Sequence, residues 1–518
     1  MSALAYNPPG FPARIGIAVA LVAASDFLLY GQPAALSLLV FAALIGAAVL
    51  AIHPQAFNDR WLLPKLALLI AGLAPLAENV SMLSVCIALV CLSAFALLTA
   101  GRLGLGRFDA GFSDAALPRA GGLLLVFLAI APFRLIRDFF RWRRTARRLG
   151  KRRVPFAAIA VWIMPLFLAA VFLVLFGEAN PVIEYWLSLI DLLALLDLIQ
   201  VFRIIFWIFV LVIVWAFLRP RLPAFLRRKP RPMILPLAGQ PQREPTPQDI
   251  AAKNLEAVLF GRPAILRSLI VFNLMFAVQT VLDAAYLWGG VALPDGMSYA
   301  SYAHRGAYPL IVTALIAAGF VLAALRPGSA TSGDMLIRRL VYLWVAQNIA
   351  LVISSILRLD LYIGIYALTY WRIAAFVWMG LVAAGLALIV ARIALGKSNK
   401  WLLTANLLTL SATLYACCYV NFAGLIANYN VDHSLEMSGQ GVSLDVWYLR
   451  DLGPAAFPAI DRYLAGRDAV LDPALSELFS WRTMTEDWFR QYHENWRAWS
   501  FREWRLMQYL DAGNTTSE

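Results

Sequence analysis

Residues 201–218 read VFRIIFWIFVLVIVWAFL, an apolar run in which Arg203 is the only charged residue. An apolar helix of about 20 residues crosses a hydrocarbon core of about 30 Å, so this stretch predicts a membrane-spanning helix. Runs of the same kind recur along the chain. Spans are predicted near residues 13–30, 33–52, 62–79, 82–100, 155–176, 201–218, 264–288, 308–325, 337–357, 364–391 and 401–427. We therefore expect an all-α, polytopic integral membrane protein with about eleven spans.

Composition agrees with this class. The 518 residues are 61% hydrophobic and only 14% charged, and the mean hydropathy is +0.71. A soluble domain carries about 25% charged residues, so much of this chain must face the lipid bilayer. The net charge of +13 does not indicate a nucleic-acid partner, because the basic residues cluster at the ends of the predicted spans, as orientation signals do.

The distribution of basic residues predicts the orientation. Ten Arg and Lys residues lie between 134 and 153, whereas 154–202 contains only acidic charges, including Glu178 and Glu184. Basic loops stay in the cytoplasm. The short apolar run 121–133 is either a further span or an interfacial helix, and the interfacial reading leaves fewer basic residues on the wrong side. The expected protein has a cytoplasmic N-terminus, an extracytoplasmic C-terminus and no cleavable signal.

Composition also divides the chain. We predict a six-span half over 1–218, with an interfacial basic helix near 120–153, and a five-span half over 261–428. A basic, proline-rich cytoplasmic linker over 219–260 separates the two halves. Residues 429–518 hold 14 acidic and 8 basic residues and predict a small helical extracytoplasmic domain. Its aromatic face of Trp488, Tyr492, Trp496 and Trp499 either packs in the core of that domain, which we favour, or lies on the membrane surface.

Charged residues at membrane depth fall mainly on the predicted outer side. Such residues usually face a bundle interior, where they pair or line a cavity. Arginine binds carboxylate or phosphate groups through two hydrogen bonds, so the cluster predicts a site for an anion. Structural pairs, Asp283 with Arg305 or Arg358 with Asp360, are the alternative. The candidate site residues are Glu178, Glu184, Asp283, Tyr302, His304, Arg305, Arg358, Asp360 and Arg372.

No pattern in the sequence predicts catalysis, a cofactor or a metal. The four cysteines Cys86, Cys91, Cys417 and Cys418 lie in apolar runs without the spacing of a disulfide framework or a metal site. The pair His493-Glu494 begins a zinc-protease motif, but Arg497 stands where the second histidine is required.

Several ordered blocks together resemble a known family. They are residues 267–273, 279–288, 293–296, 302–310, 343–348, 358–362 and 444–453, with looser blocks at 26–30 and 180–184. This series resembles bacterial multi-pass membrane proteins of unknown function, namely the domain-of-unknown-function family 4173 and the related family 4153. The resemblance covers residues 260–460 most specifically. It implies a location in the bacterial cytoplasmic (inner) membrane and brings no activity, substrate or catalytic residue.

We expect a non-enzymatic protein that binds or senses an extracytoplasmic ligand through the charged cluster, either an anionic small molecule or a protein partner. A transporter of a small anionic solute is the second hypothesis. An intramembrane enzyme is the third, because a nucleophile or metal constellation is missing from the sequence pattern. The oligomeric state is left open.

Overall fold

A computed structural model describes residues 10–101, 133–148, 200–220, 261–285, 334–467 and 472–515, with short pieces at 121–124, 126–127, 130, 164–165, 168–169, 171–172, 316 and 319–320. Every regular element within these ranges is helical, and an isolated bridge joins Ser434 to Val442. The all-α prediction is confirmed. The described residues form two compact units, one within 1–77, 86–106 and 123–224, the other within 78–85, 107–122 and 225–518.

The first unit contains α1 to α6 except for residues 78–85, which end α3 and begin α4 and belong to the second unit. The six helices are Phe11–Leu29, Leu36–Ile52, Leu62–Glu78, Met82–Thr99, Arg134–Arg148 and Val201–Leu218. Helix α1 packs against both α2 and α6. Arg203, the charge within the span quoted first, donates from Nε to Asp26 Oδ1 at 2.8 Å, and Trp207 Nε1 donates to the same oxygen at 2.8 Å. Helices α3 and α4 approach closely, because a Cβ added at Gly72 would collide with the Cβ of Cys91. Small residues permit such contacts between membrane helices.

The second unit begins with the long helices α7 to α9, Arg262–Asp283, Met335–Tyr366 and Tyr370–Ala394. Helices α10 and α11 follow, Asn399–Cys417 and Phe422–Asp432. Ile265, Trp344 and Leu386 belong to a core shared by α7, α8 and α9. The short helices α12 to α14 then span Leu435–Ser438, Val446–Asp451 and Phe457–Leu464, and α15 and α16 span Pro473–His493 and Phe501–Thr515. A second core joins Ile363 and Leu368 to residues between 426 and 478.

Among the described residues, six helices are long and apolar enough to cross a membrane: Phe11–Leu29, Met82–Thr99, Val201–Leu218, Arg262–Asp283, Met335–Tyr366 and Tyr370–Ala394. The pair α10 and α11 makes a seventh if its 69° bend lies within one span. This supports a multi-pass membrane protein. Only short pieces of the predicted spans near 155–176 and 308–325 are described, and the linker beyond residue 220 lies outside the described ranges, so the total of about eleven stays a prediction.

Three sequence predictions differ from the structure. Helix α8 runs to Tyr366, so Arg358 and Asp360 lie within a helix and not after its end. The predicted span 401–427 is broken, because α10 ends at Cys417 and Asn421 caps the start of α11, where its side chain accepts a hydrogen bond from Gly424 N at 3.1 Å. Core packing of the aromatic face is wrong, since the exposed fractions of Trp488, Tyr492, Trp496 and Trp499 are 56%, 36%, 47% and 38%.

Candidate functional site

Four of the nine predicted site residues lie in the described part of the chain, namely Asp283, Arg358, Asp360 and Arg372. Glu178, Glu184, Tyr302, His304 and Arg305 lie outside it. The structure brings Asp283 and Arg358 together, leaves Asp360 exposed, and gives Arg372 a different environment. The predicted pair of Arg358 with Asp360 is therefore wrong, because Arg358 pairs with Asp283.

Asp283 is the last residue of α7 and accepts hydrogen bonds from three residues of the described ranges. Arg358 Nη2 and Gln279 Nε2 donate to its Oδ1, the latter at 2.9 Å, and Ser354 Oγ donates to Oδ2 at 2.8 Å. Ser354 and Arg358 are four residues apart on α8, so they present one face of that helix to α7. Both charged side chains are buried, at 4% and 6% exposed. Because the carboxylate already has these three donors, the geometry is that of a closed ion pair joining two helices.

Other polar contacts join the same two helices. Asn273 Nδ2 donates to the carbonyl of Leu340 at 3.1 Å, and Gln347 Nε2 donates to the carbonyl of Asn273 at 3.2 Å. At the other end of α7, Arg262 Nε lies 2.5 Å from Asp334 Oδ2. Buried amides and ion pairs of this kind hold membrane helices in register.

Arg372 lies against the end of α8, and its role as a ligand-binding residue stays a prediction. Its guanidinium donates to the carbonyls of Tyr366 and Ala367, and it lies 4.7 Å from the centre of the Tyr362 ring. Leu368, the next residue of this turn, is fixed by Asn430. Leu368 N donates to Asn430 Oδ1 at 2.7 Å, and Asn430 Nδ2 donates to Leu368 O at 3.0 Å. These contacts satisfy backbone groups that a helix end leaves open.

The second unit contains a cleft of about 830 Å³, called here the helix-break cleft. It lies beside the break between α10 and α11, and its other walls come from the 79–83 turn, the 452–458 corner, the end of α15 and α16. Its apolar and aromatic lining includes Leu83, Val420, Phe422, Leu452, Pro454, Pro458, Trp488, Phe489, Tyr492 and Leu506. Broken helices within membrane proteins occur where the irregular backbone lines a cavity or is buried in protein.

Two arginines at the helix-break cleft share one carboxylate. Arg502 Nε and Arg505 Nη2 lie 3.3 and 2.5 Å from the same oxygen, Glu78 Oε1. Arg502 is 17% exposed and also donates to the carbonyl of Cys418 at 3.1 Å. It therefore provides a hydrogen-bond donor for a backbone carbonyl at the break between α10 and α11. Arg505 is 51% exposed. Two guanidinium groups thus face one carboxylate, and the second carboxylate of the cleft, Glu503, lies against His493.

A histidine–carboxylate pair lines the same cleft. His493 Nε2 lies 3.3 Å from Glu503 Oε2, and Ser500 Oγ donates to that oxygen at 2.6 Å. Burial alone lowers the pKa of His493, but the neighbouring Glu503 carboxylate and the hydrogen bond with the carbonyl of Phe489 outweigh it, so that the pKa is raised.

Sequence reasoning missed Arg502, Arg505 and His493 as site residues. Arg502 and Arg505 pair with Glu78, which lies 424 and 427 residues earlier in the sequence. No local sequence pattern predicts a contact at such a separation. The signal that was available is Glu78 at the end of a predicted span, which needs a cationic partner at that depth. Within the described ranges, no group of three or more His, Cys, Asp or Glu side chains is placed to hold a metal ion.

Residues 65–463 match a family model described as Domain of unknown function (DUF4153). This is the second of the two families that the sequence blocks resemble, and the match extends the likeness into the first unit. No curated protein and no solved structure matches the chain.

Proposed function

We propose, for a chain that belongs to the DUF4153 family of domains of unknown function, that it binds an amphipathic anion in the helix-break cleft. The observation that carries this proposal is the exposed guanidinium of Arg505, which lines the cleft while Arg502 and Arg505 together face a single carboxylate. The function is binding without catalysis. The proposed site has the predicted chemistry, in which arginine binds an anion, but it is formed by the C-terminal helices and not by the residues that the sequence predicts.

The head of the ligand is assigned to Arg505. Glu78 takes one of its terminal nitrogens, and a guanidinium carries five N–H donors in a fixed fork. Half of the side chain is exposed, so donors remain for a carboxylate, sulfate or phosphate group. The Glu503 carboxylate of the same cleft is engaged by His493 and Ser500. An anionic head is thus favoured over a cationic one.

The body of the ligand is assigned to the apolar lining. Trp488 and Tyr492 stack with ring centroids 5.0 Å apart, and both rings, with Leu506, line the cleft. A small inorganic anion would leave this surface in contact with water, whereas a hydrocarbon chain would cover it. A volume of about 830 Å³ also exceeds what a single small ion needs. A fatty acid or a similar amphiphile fits both parts of the lining.

The location supports the same ligand class. We propose a bacterial inner-membrane protein with a cytoplasmic N-terminus and residues 429–518 on the extracytoplasmic side, as the distribution of basic residues predicts. The bilayer is then a nearby source of amphiphiles. Transport of an anionic solute is the second candidate, favoured by the 69° break between α10 and α11, since substrate sites of transporters are often built at interrupted helices.

A fluorescent acid and its neutral ester test the proposal. Dansyl-undecanoic acid and its methyl ester share a chain and a fluorophore and differ in charge. The wild-type protein, purified in detergent, is expected to bind the acid saturably and the ester weakly. Arg505→Gln is expected to weaken binding of the acid by about tenfold or more, because a hydrogen bond to a charged group contributes about 1.5–3 kcal/mol.

Arg462→Gln is the matched control, because Arg462 is 46% exposed, pairs with Asp432 at 2.9 Å and lies outside the cleft. Its affinity for the acid should equal that of the wild type. Equal binding of acid and ester, or unchanged binding by a folded Arg505→Gln protein, would contradict the proposal. Accumulation of the acid inside proteoliposomes would favour transport over binding alone.

A further inference from the structure

The first unit contains a second polar cavity, called here the basic pocket, with a volume of about 480 Å³. It lies where the first turns of α1 and α3 meet the last turns of α2 and α4, the 54–58 turn and the residues after α6. The charged and titratable side chains that line it are Arg14, His53, Asp59, Lys65 and Arg219. Among the described residues, three cationic side chains therefore line the pocket together with one carboxylate, and they come from three different parts of the chain.

The cations of the basic pocket are held in place by specific partners. Lys65 Nζ lies 2.6 Å from Asp59 Oδ2, and the ammonium, with the N–H of Trp61, holds the pKa of the Asp59 carboxyl below 3.8. Arg219 Nη1 lies 3.0 Å from Asp138 Oδ2 on α5. Lys65 and Arg219 are only 12% and 19% exposed. Cations that merely snorkel to headgroups extend into water, and these two do not.

The positions of Arg14 and Lys65 are unfavourable for their own helices. Each is the fourth residue of its helix, α1 or α3, and neither helix has an acidic residue in its first turn. A helix N-terminus carries a partial positive charge, which disfavours a cation there by a few tenths of a kcal/mol or more. The positive-inside rule accounts for the side of the membrane on which these residues lie. It does not account for their convergence on one partly buried cavity.

Part of this charge has a structural role, because Arg14 Nη1 lies 3.4 Å from the carbonyl of Leu218 at the end of α6. Helices α2, α4 and α6 have no basic residue in their last turns, so cations from other helices also complement their negative ends. Both roles are compatible with a cavity that retains net positive charge. Arg14 and Arg219 offer planar forks and Lys65 a compact ammonium, a combination that suits phosphate oxygens.

We infer that the basic pocket is a binding site for a phosphate group, independent of the helix-break cleft. Its position at the helix ends that the basic residues predict to be cytoplasmic gives two sources for that group, a phospholipid headgroup of the adjacent leaflet or a soluble phosphate. Basic pockets between the ends of membrane helices hold anionic headgroups in this manner. A volume of about 480 Å³ accommodates a phosphate with the glycerol moiety attached to it.

The test uses the full-length protein in lipid-free amphipol and two probes. Calorimetric titration measures binding of inorganic phosphate, and native mass spectrometry measures retention of phosphatidylglycerol against phosphatidylcholine. The variants are Lys65→Gln and Arg14→Gln. The control is Arg203→Gln, which removes an arginine of the same unit that pairs with Asp26 and does not line the pocket.

The wild type and Arg203→Gln are expected to bind one of the probes saturably, with affinities within about twofold of each other. Lys65→Gln and Arg14→Gln are each expected to lose about tenfold or more. Preference for phosphatidylglycerol over phosphatidylcholine and inorganic phosphate would assign the lipid headgroup, and binding of inorganic phosphate would assign a soluble ligand. The inference would be overturned if the wild type bound neither probe, or if Arg203→Gln lost as much affinity as the pocket variants. Both outcomes can be read even if one pocket variant unfolds.

Discussion

The buried pair of Asp283 and Arg358 provides the strongest test of how the second unit is held together. Asp283→Leu removes a carboxylate that accepts hydrogen bonds from Arg358, Ser354 and Gln279, and it leaves the Arg358 guanidinium buried at 6% exposure. Breaking a buried pair from one side costs about 3–5 kcal/mol, because the remaining charge stays desolvated. Arg358→Met should cost a similar amount for the same reason. The double variant should cost less than either single one, since apolar replacement of both partners is often close to neutral.

The measurement is reversible unfolding in mixed micelles by titration with sodium dodecyl sulfate, followed by the helical circular-dichroism signal. The three variants and the wild type form a double-mutant cycle, which isolates the pairwise free energy of the two side chains. Additive losses, with the double variant less stable than both single ones, would show that the two residues act independently. If Asp283→Leu lowered the free energy of unfolding by less than about 1 kcal/mol, the structural role would also be refuted. The pair would then again be a candidate ligand site.

Two further predictions concern helix packing and pH. Gly72→Ala should lower the free energy of unfolding by about 1–3 kcal/mol, because the new Cβ collides with the Cβ of Cys91. Adding Cys91→Gly to the same protein should restore much of that loss. Gly46→Ala should cost less, because its Cβ meets only the end of a flexible leucine side chain. The His493–Glu503 pair should stabilise the protein fully below about pH 6.5 and lose this contribution as the pH rises through the raised pKa of His493. Thermal midpoints between about pH 5 and about pH 9 should therefore show a slope that His493→Gln removes, and an unchanged slope would contradict the assignment.

The extent of a span could be predicted from sequence where apolar residues determine it. Helix α6 begins and ends at the predicted residues 201 and 218, because hydropathy changes sharply at both ends. Helix α8 was predicted to end before Arg358, since a charge at membrane depth usually marks a boundary. In the structure the partner of Arg358 comes from α7, 75 residues earlier, so the helix continues to Tyr366. The sequence shows the charge of Arg358, but it does not show which residue pairs with that charge.

The candidate site was predictable in kind but not in place. Arginine as the ligand for an anion follows from side-chain chemistry alone. One nitrogen of Arg372 donates to the carbonyls of Tyr366 and Ala367, a contact that the sequence does not predict. Arg505 is one of the eight basic residues of the segment 429–518, and only folding brings it to Glu78. Which arginine is left with accessible donors depends on every other acceptor in the unit, and that is a property of tertiary structure.

The clamp between Asn430 and Leu368 has a consequence for the order in which the protein is made. The amide and carbonyl of Leu368 lie in the turn between α8 and α9, and both find their partners in a side chain synthesised 62 residues later. Until that asparagine leaves the ribosome, the two backbone groups depend on water or on other temporary partners, and they favour an open turn over a buried one. The hairpin of α8 and α9 therefore reaches its final form only when α11 arrives. Assembly of this half of the protein is completed from its C-terminal side.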